Sequence, residues 1–211
     1  MTRESGTPCV VSVAEHAGWA HLLCVSTAGR VPTVVERRRV TLIDAGLPNQ
    51  PYHHETVRMP EDEANALIAR VQRSVAAWTS RALQGVVTDL AQSHAIVALA
   101  IRQPLFPKLP ETVAPVRESY RLQCCADGML YQLAMCRAAD HLGLEVDLYT
   151  RGEEAARAAE RLDVTADDIE SFVGGTGRPS GPPWTQDHRR AYAAGIAALA
   201  TRVRGLRIPR P

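Results

Sequence analysis

The chain has 211 residues, 45% of them hydrophobic and 22% charged, which is the composition of an ordinary globular protein with enough length for one sizeable core. Its formal net charge of +1 provides no global field for nucleic acid or an anionic membrane, so any such binding has to come from a local patch. Five cysteines (Cys9, Cys24, Cys124, Cys125, Cys136) form no CxxC pair and read as reduced, buried thiols rather than a disulfide framework.

Three strands are predicted first, over 9–15, 19–27 and 31–43, with Gly18 and Gly29 marking tight turns of an antiparallel meander. Residues 44–59 carry two prolines and no periodicity and read as a loop. A helix is predicted from 60 to 92. Pro60 and three acids stand at its start, and Leu67, Val71, Val75, Trp78, Ala82 and Val86 form its apolar stripe. AIVALAI (95–101) is apolar throughout, as a strand buried on both faces should be.

Residues 111–142 read as helix, broken near Pro115 and again at Asp127–Gly128. In 144–150, Leu144, Val146 and Leu148 alternate with Glu145, Asp147 and Tyr149, which predicts an edge strand with the second set facing water. Two short helices (152–162 and 166–173), a Gly/Pro-rich loop (174–185), a last helix near 186–206 and a tail (207–211) complete a single domain spanning 1–211. The segment MTRESGTPCVV lacks the apolar core of a signal peptide, and no apolar run approaches a membrane span, so a cytoplasmic protein without membrane association is expected.

The order is β-β-β-α-β-α-β-α, and a strand order of 3-2-1-4-5 leaves the charged third and fifth strands at the two edges. The features that carry a resemblance are Glu15 ending the first strand, Gly18-Trp19 opening the second, and the long helix leading into an apolar central strand. The late GGTGRP loop and an alanine-rich final helix with Asp187 near its start add to them. Together they resemble the ribonuclease H-like superfamily, and within it the RuvC-type Holliday-junction resolvases. The resemblance implies a three-layer α/β fold, a five-stranded mixed sheet with helices on both faces.

It also implies a site in which carboxylates hold Mg²⁺ or Mn²⁺ for phosphodiester cleavage, since hard divalent cations need converging anionic oxygens. On this resemblance Glu15 and Asp187 are the metal-holding and catalytic acids. The family ordinarily has Asp at the Glu15 position. Where the family has an acid at the end of the fourth strand, this chain reads Ile101-Arg102-Gln103. Arg102 there suits phosphate and repels a metal, and Arg178 in the glycine-rich loop is a second candidate for nucleic-acid contact.

Each of these residues has a plainer reading beside the functional one. Glu15 is also a solvated turn acid, and His16 and His21 beside it suit proton transfer, metal ligation or simple hydrogen bonding. Asp187 stabilises a helix start after Thr185 with or without a metal. His53-His54-Glu55 has ligand chemistry, but adjacent histidines in an extended loop point apart. Arg202, Arg204, Arg207 and Arg210 read as a solvated end or as a phosphate contact.

Two function classes follow. One is a diverged, non-catalytic binding or scaffold protein associated with nucleic acid or another protein, favoured by the missing acid at Arg102, by Glu in place of Asp, and by the neutral balance. The other is a divalent-metal-dependent nuclease in which Glu15 and Asp187 hold the metal and Asp127, or an acid elsewhere in the chain, completes the site. A small-molecule or nucleotide-binding relative is weakened by the absence of any phosphate-loop motif.

Overall fold

A computed structural model describes residues 6–104, 108–175 and 181–209. Strands β1 (Thr7–His16), β2 (Trp19–Ala28) and β3 (Val31–Thr41) form the expected meander. The β1–β2 turn is two residues long, and Gly18 takes φ 88°, a left-handed conformation that few other residues adopt without strain. Helix α1 (Glu61–Leu90) leads to β4 (His94–Arg102). Helices α2 (Val113–Arg117) and α3 (Tyr120–His141) lead to β5 (Glu145–Tyr149), and α4 (Glu154–Leu162), α5 (Ala166–Gly175) and α6 (Gln186–Ala200) close the chain.

The sheet order is β3-β2-β1-β4-β5, with β1, β4 and β5 mutually parallel and the β1–β2–β3 pairs antiparallel. The fold is the three-layer ribonuclease H-like arrangement. Alternation along β1 divides the core: Val10 faces α4, α5 and α6, whereas Cys9, Val11 and Val13 face α1 and α3. Helix α6 lies close to the sheet because its contact surface is small, and a Cβ added at Gly195 would come within 2.5 Å of Val25 Cγ2.

Several local expectations are corrected. The loop over 44–59 contains one wide helical turn, Pro51–Glu55, closed by Thr56 N–H donating to Pro51 O. The buried stripe of α1 runs through Ile68, Val71, Val75, Thr79, Leu83 and Val86, with Leu67, Trp78 and Ala82 on its flank. The helix is rotated because the loop ties it down: Trp78 Nε1 and Ser74 Oγ donate to the Asp44 carboxylate.

The break before α3 falls at Ser119, whose Oγ accepts from Leu122 N–H, and not at Pro115. Pro115 is the third residue of α2, where a missing N–H costs nothing. Helix α3 runs unbroken through Asp127–Gly128.

The wet face expected of β5 is covered at Asp147 and Tyr149 and stays exposed at Glu145. Tyr149 is buried and its hydroxyl donates to Val13 O, while Leu148, on the face expected to be apolar, is exposed. Asp147 is held by Arg157, Arg161 and Arg202, so this edge is closed by charge pairing with α4 and the end of α6. Arg202 also binds Glu145, which gives it a structural task. Past α6 the chain stays docked, with Leu206 and Ile208 in the core and Arg207 N–H donating to Arg30 O.

Candidate functional site at the ends of the central strands

Strands β1 and β4 lie side by side and parallel, and the chain leaves β1 toward β2 on one side and reaches β4 on the other. Their carboxyl ends thus frame the crevice at which open α/β sheets place ligands. Glu15 and His16 end β1, Arg102 ends β4, and Tyr149 ends β5.

Glu15 and His16 are neighbours and therefore point to opposite faces of the sheet. Glu15 turns toward α3, where Gln132 Nε2 donates to its Oε1 at 2.8 Å, and Arg102 Nη2 donates to the same oxygen at 2.5 Å. Its side chain is only 5% exposed. The carboxylate is thus buried with a guanidinium and an amide as its partners, the condition a buried charge requires.

His16 turns toward α6. Its Nε2 lies 3.2 Å from Asp187 Oδ2, and its ring stacks on Trp19 at 3.9 Å with an interplanar angle of 7°. Arg39 covers Trp19 at 4.4 Å from the ring centroid. Rings continue from there: Trp19 meets His21 edge-on, His21 packs on His188, and His188 stacks with Trp184. Burial, reinforced by His188 and His16, pushes the His21 pKa down to about 4, so this imidazole is neutral at physiological pH. His188 is shifted the same way by burial, and its Nδ1 accepts from the Thr185 backbone N–H at the start of α6.

Asp127 has a different task from the third metal acid. Its two oxygens accept from the backbone N–H groups of Tyr52 and His53, both at 3.0 Å, which fixes the turn at 51–55 against α3. Burial raises its pKa to about 6, against the opposing effect of those two hydrogen bonds. In that turn the rings of His53 and His54 pack at 3.9 Å, and His53 meets Tyr120 edge-on.

The acids proposed from sequence are therefore each engaged separately. Glu15 and Asp187 do line one cavity of about 210 Å³, together with His16, Arg102, Arg151 and Arg190. Asp127 lines another, of about 170 Å³, to which Glu15, His16 and Arg102 also contribute. Among the described residues no three His, Cys, Asp or Glu side chains are grouped to hold a metal ion. A two-metal centre needs several carboxylates converging on hard cations. Here a guanidinium stands among them, so the residues present do not fit that group.

Arg178 and Arg210 lie outside the described residues. Gln132, Arg151 and Arg190 were missed by sequence reasoning. Arg190 alone had a legible signal, since it follows Asp187 by three residues and so shares its helix face. Among the described residues no helix is long and apolar enough to cross a membrane.

No family model matches the chain, and no curated protein matches it in sequence. Among solved structures the chain is similar to Thermus thermophilus RuvC, with a TM-score of 0.52 and 13% identity over 96% of this chain and 99% of that one. It is equally similar, by the same measures, to T. thermophilus RuvC in complex with Holliday junction substrate. At this identity the likeness shows the fold, and the chain has the RuvC-like ribonuclease H fold over nearly its whole length.

Proposed function

We propose that this chain is a diverged ribonuclease H-like protein that binds nucleic acid without the two-metal cleavage chemistry of the fold. The observation that carries this is the Glu15–Arg102 pair, in which the acid at the head of the sheet is neutralised by a side chain of the chain itself. The nucleic-acid part draws support from the fold, which the RuvC bound to a Holliday junction shares, and from the three arginines lining the same cavity. Guanidinium groups present paired donors that match phosphate oxygens.

The net charge of +1 makes this a site of local attraction, with an affinity that falls steeply with salt. Fluorescence anisotropy with labelled branched DNA, duplex DNA and RNA–DNA hybrid, in EDTA and at low salt, tests the reading. Saturable binding to at least one of them is expected. Indifference to all three would defeat it and leave a protein partner as the remaining scaffold role.

The second reading, a divalent-metal-dependent nuclease, is favoured by one observation, that Glu15 and Asp187 line the same cavity. It requires Arg102 to leave Glu15 and the ion to find a third ligand.

A further inference from the structure

Three charged groups around the 210 Å³ cavity already have partners: Glu15 is held by Arg102, Asp187 lies against His16, and Glu154 accepts from Gly152 N–H at 2.9 Å. Arg151 and Arg190 line the same cavity and have no ion-pair partner among the described residues. Arg102 commits its Nη2 to Glu15 and carries further N–H donors that no described acceptor takes. With histidine counted neutral, as in the net charge, the three arginines balance the three carboxylates, so the cavity draws an anion through its uncommitted guanidinium N–H donors and not through a charge surplus. Paired donors of this kind match the two free oxygens of a phosphodiester.

We infer that Arg102 is a built-in cation standing where this fold would use a divalent ion, so that the cavity takes one phosphodiester group without metal, and that Glu15 restrains the binding by competing for the same guanidinium. The inference rests on the nucleic-acid reading above and adds to it the group recognised, the residue that recognises it and a brake on affinity. The geometry distinguishes this from a metal site in a simple way. A metal held by Glu15 makes that carboxylate necessary for binding, whereas a guanidinium held by Glu15 makes the carboxylate an antagonist. The two arrangements predict opposite effects of removing the Glu15 charge.

The test is a set of anisotropy titrations with a labelled DNA duplex, in EDTA and in Mg²⁺, on the wild type, Glu15→Gln, Arg190→Gln and the double variant Glu15→Gln/Arg102→Gln. The double variant is used because Arg102→Gln alone strands a buried carboxylate and endangers folding, whereas removing both charges does not. Wild-type affinity is expected to need no Mg²⁺ and to be no tighter in Mg²⁺ than in EDTA, since the divalent ion only competes for the phosphates. Glu15→Gln should bind several-fold more tightly, and the double variant about tenfold more weakly than Glu15→Gln, as loss of one charge-assisted phosphate contact implies. Arg190→Gln should weaken binding and flatten its salt dependence by about one phosphate contact.

Binding that needs Mg²⁺, or that is lost in Glu15→Gln, overturns the inference. So does an unchanged affinity in the double variant and in Arg190→Gln, in which case the protein still binds nucleic acid and only the assignment of the site fails. A wild type that binds no duplex, junction or hybrid overturns the nucleic-acid reading itself, and this inference with it.

Discussion

Arg102 Nη2 lies 2.5 Å from Glu15 Oε1, joining the ends of the two central parallel strands through a carboxylate that is 5% exposed and a guanidinium that is 26% exposed. This places the cation at the strand ends within the chain, and it makes the two partners unequal in the cost of their loss.

Arg102→Ala leaves Glu15 buried with only Gln132 as a partner, and should cost about 3 kcal/mol, as stranded buried charges do. Glu15→Gln keeps the shape and an acceptor and leaves the more exposed member charged, so about 1 kcal/mol is expected. The double variant Glu15→Gln/Arg102→Ala should recover part of the Arg102→Ala loss. Urea unfolding of the four proteins measures this, and equal, additive losses would show that the pair is not the coupled unit described.

Asp127 should make stability fall as pH rises through weak acidity. Its folded pKa of about 6 stands above the unfolded value of about 3.9, so the folded state holds the proton more tightly. The contribution is fully present below the unfolded value and lost as pH passes the folded one, roughly 2 kcal/mol between about pH 4 and 6. Asp127→Asn should remove that slope, as unfolding free energies measured across the window will show.

His21 acts in the opposite sense over the same range. Its folded pKa of about 4 lies below the unfolded value of about 6.5, so protonation favours the unfolded chain and stability falls as pH drops from about 6.5 to 4. His21→Phe keeps a ring against Trp19 and His188 and removes the titration. It should gain stability relative to the wild type at pH 4 and lose that gain at pH 7. In the wild type the two residues oppose each other, so only the single variants reveal either slope. An NMR titration in which the His21 ring protonates near pH 6.5 would contradict the account of its burial.

Gly195→Ala should destabilise although alanine is the better helix former. The added Cβ meets Val25 Cγ2 at 2.5 Å and Ser12 Oγ at 3.1 Å, contacts that force α6 off the sheet. Overpacking of this kind costs about 1–3 kcal/mol against a propensity gain of about 1 kcal/mol, so a net loss of about 1 kcal/mol in thermal or urea unfolding is expected.

The fold was legible because each strand and helix carried its own period and the turns were marked by glycine. β4 read as buried because residues 95–101 are apolar at every position, and the strand order of the resembling fold agreed with charged third and fifth strands at the edges. What failed was local and had tertiary causes. β5 alternates as though one face were wet, yet three arginines distant in sequence reach Asp147, and Leu148 on the opposite face is exposed. Asp127 looked like a helix breaker or a metal acid because nothing in the sequence shows that two loop amides 74 and 75 residues away point at it. Of the residues lining the candidate cavity, Glu15, His16, Arg102 and Asp187 were singled out in the sequence. The pairing of Glu15 with Arg102 and of Asp187 with His16 depends on which face of β1 each side chain takes. Alternation fixes that only once the helices on each face are known.

The most direct test of the central claim is cleavage of branched DNA, duplex DNA and RNA–DNA hybrid over a range of Mn²⁺ concentrations, comparing the wild type with Glu15→Gln. An arginine-neutralised Glu15 predicts that both folded proteins leave every substrate intact at every metal concentration. Mn²⁺-dependent cleavage by the wild type, abolished in Glu15→Gln, would contradict it and place a metal at Glu15.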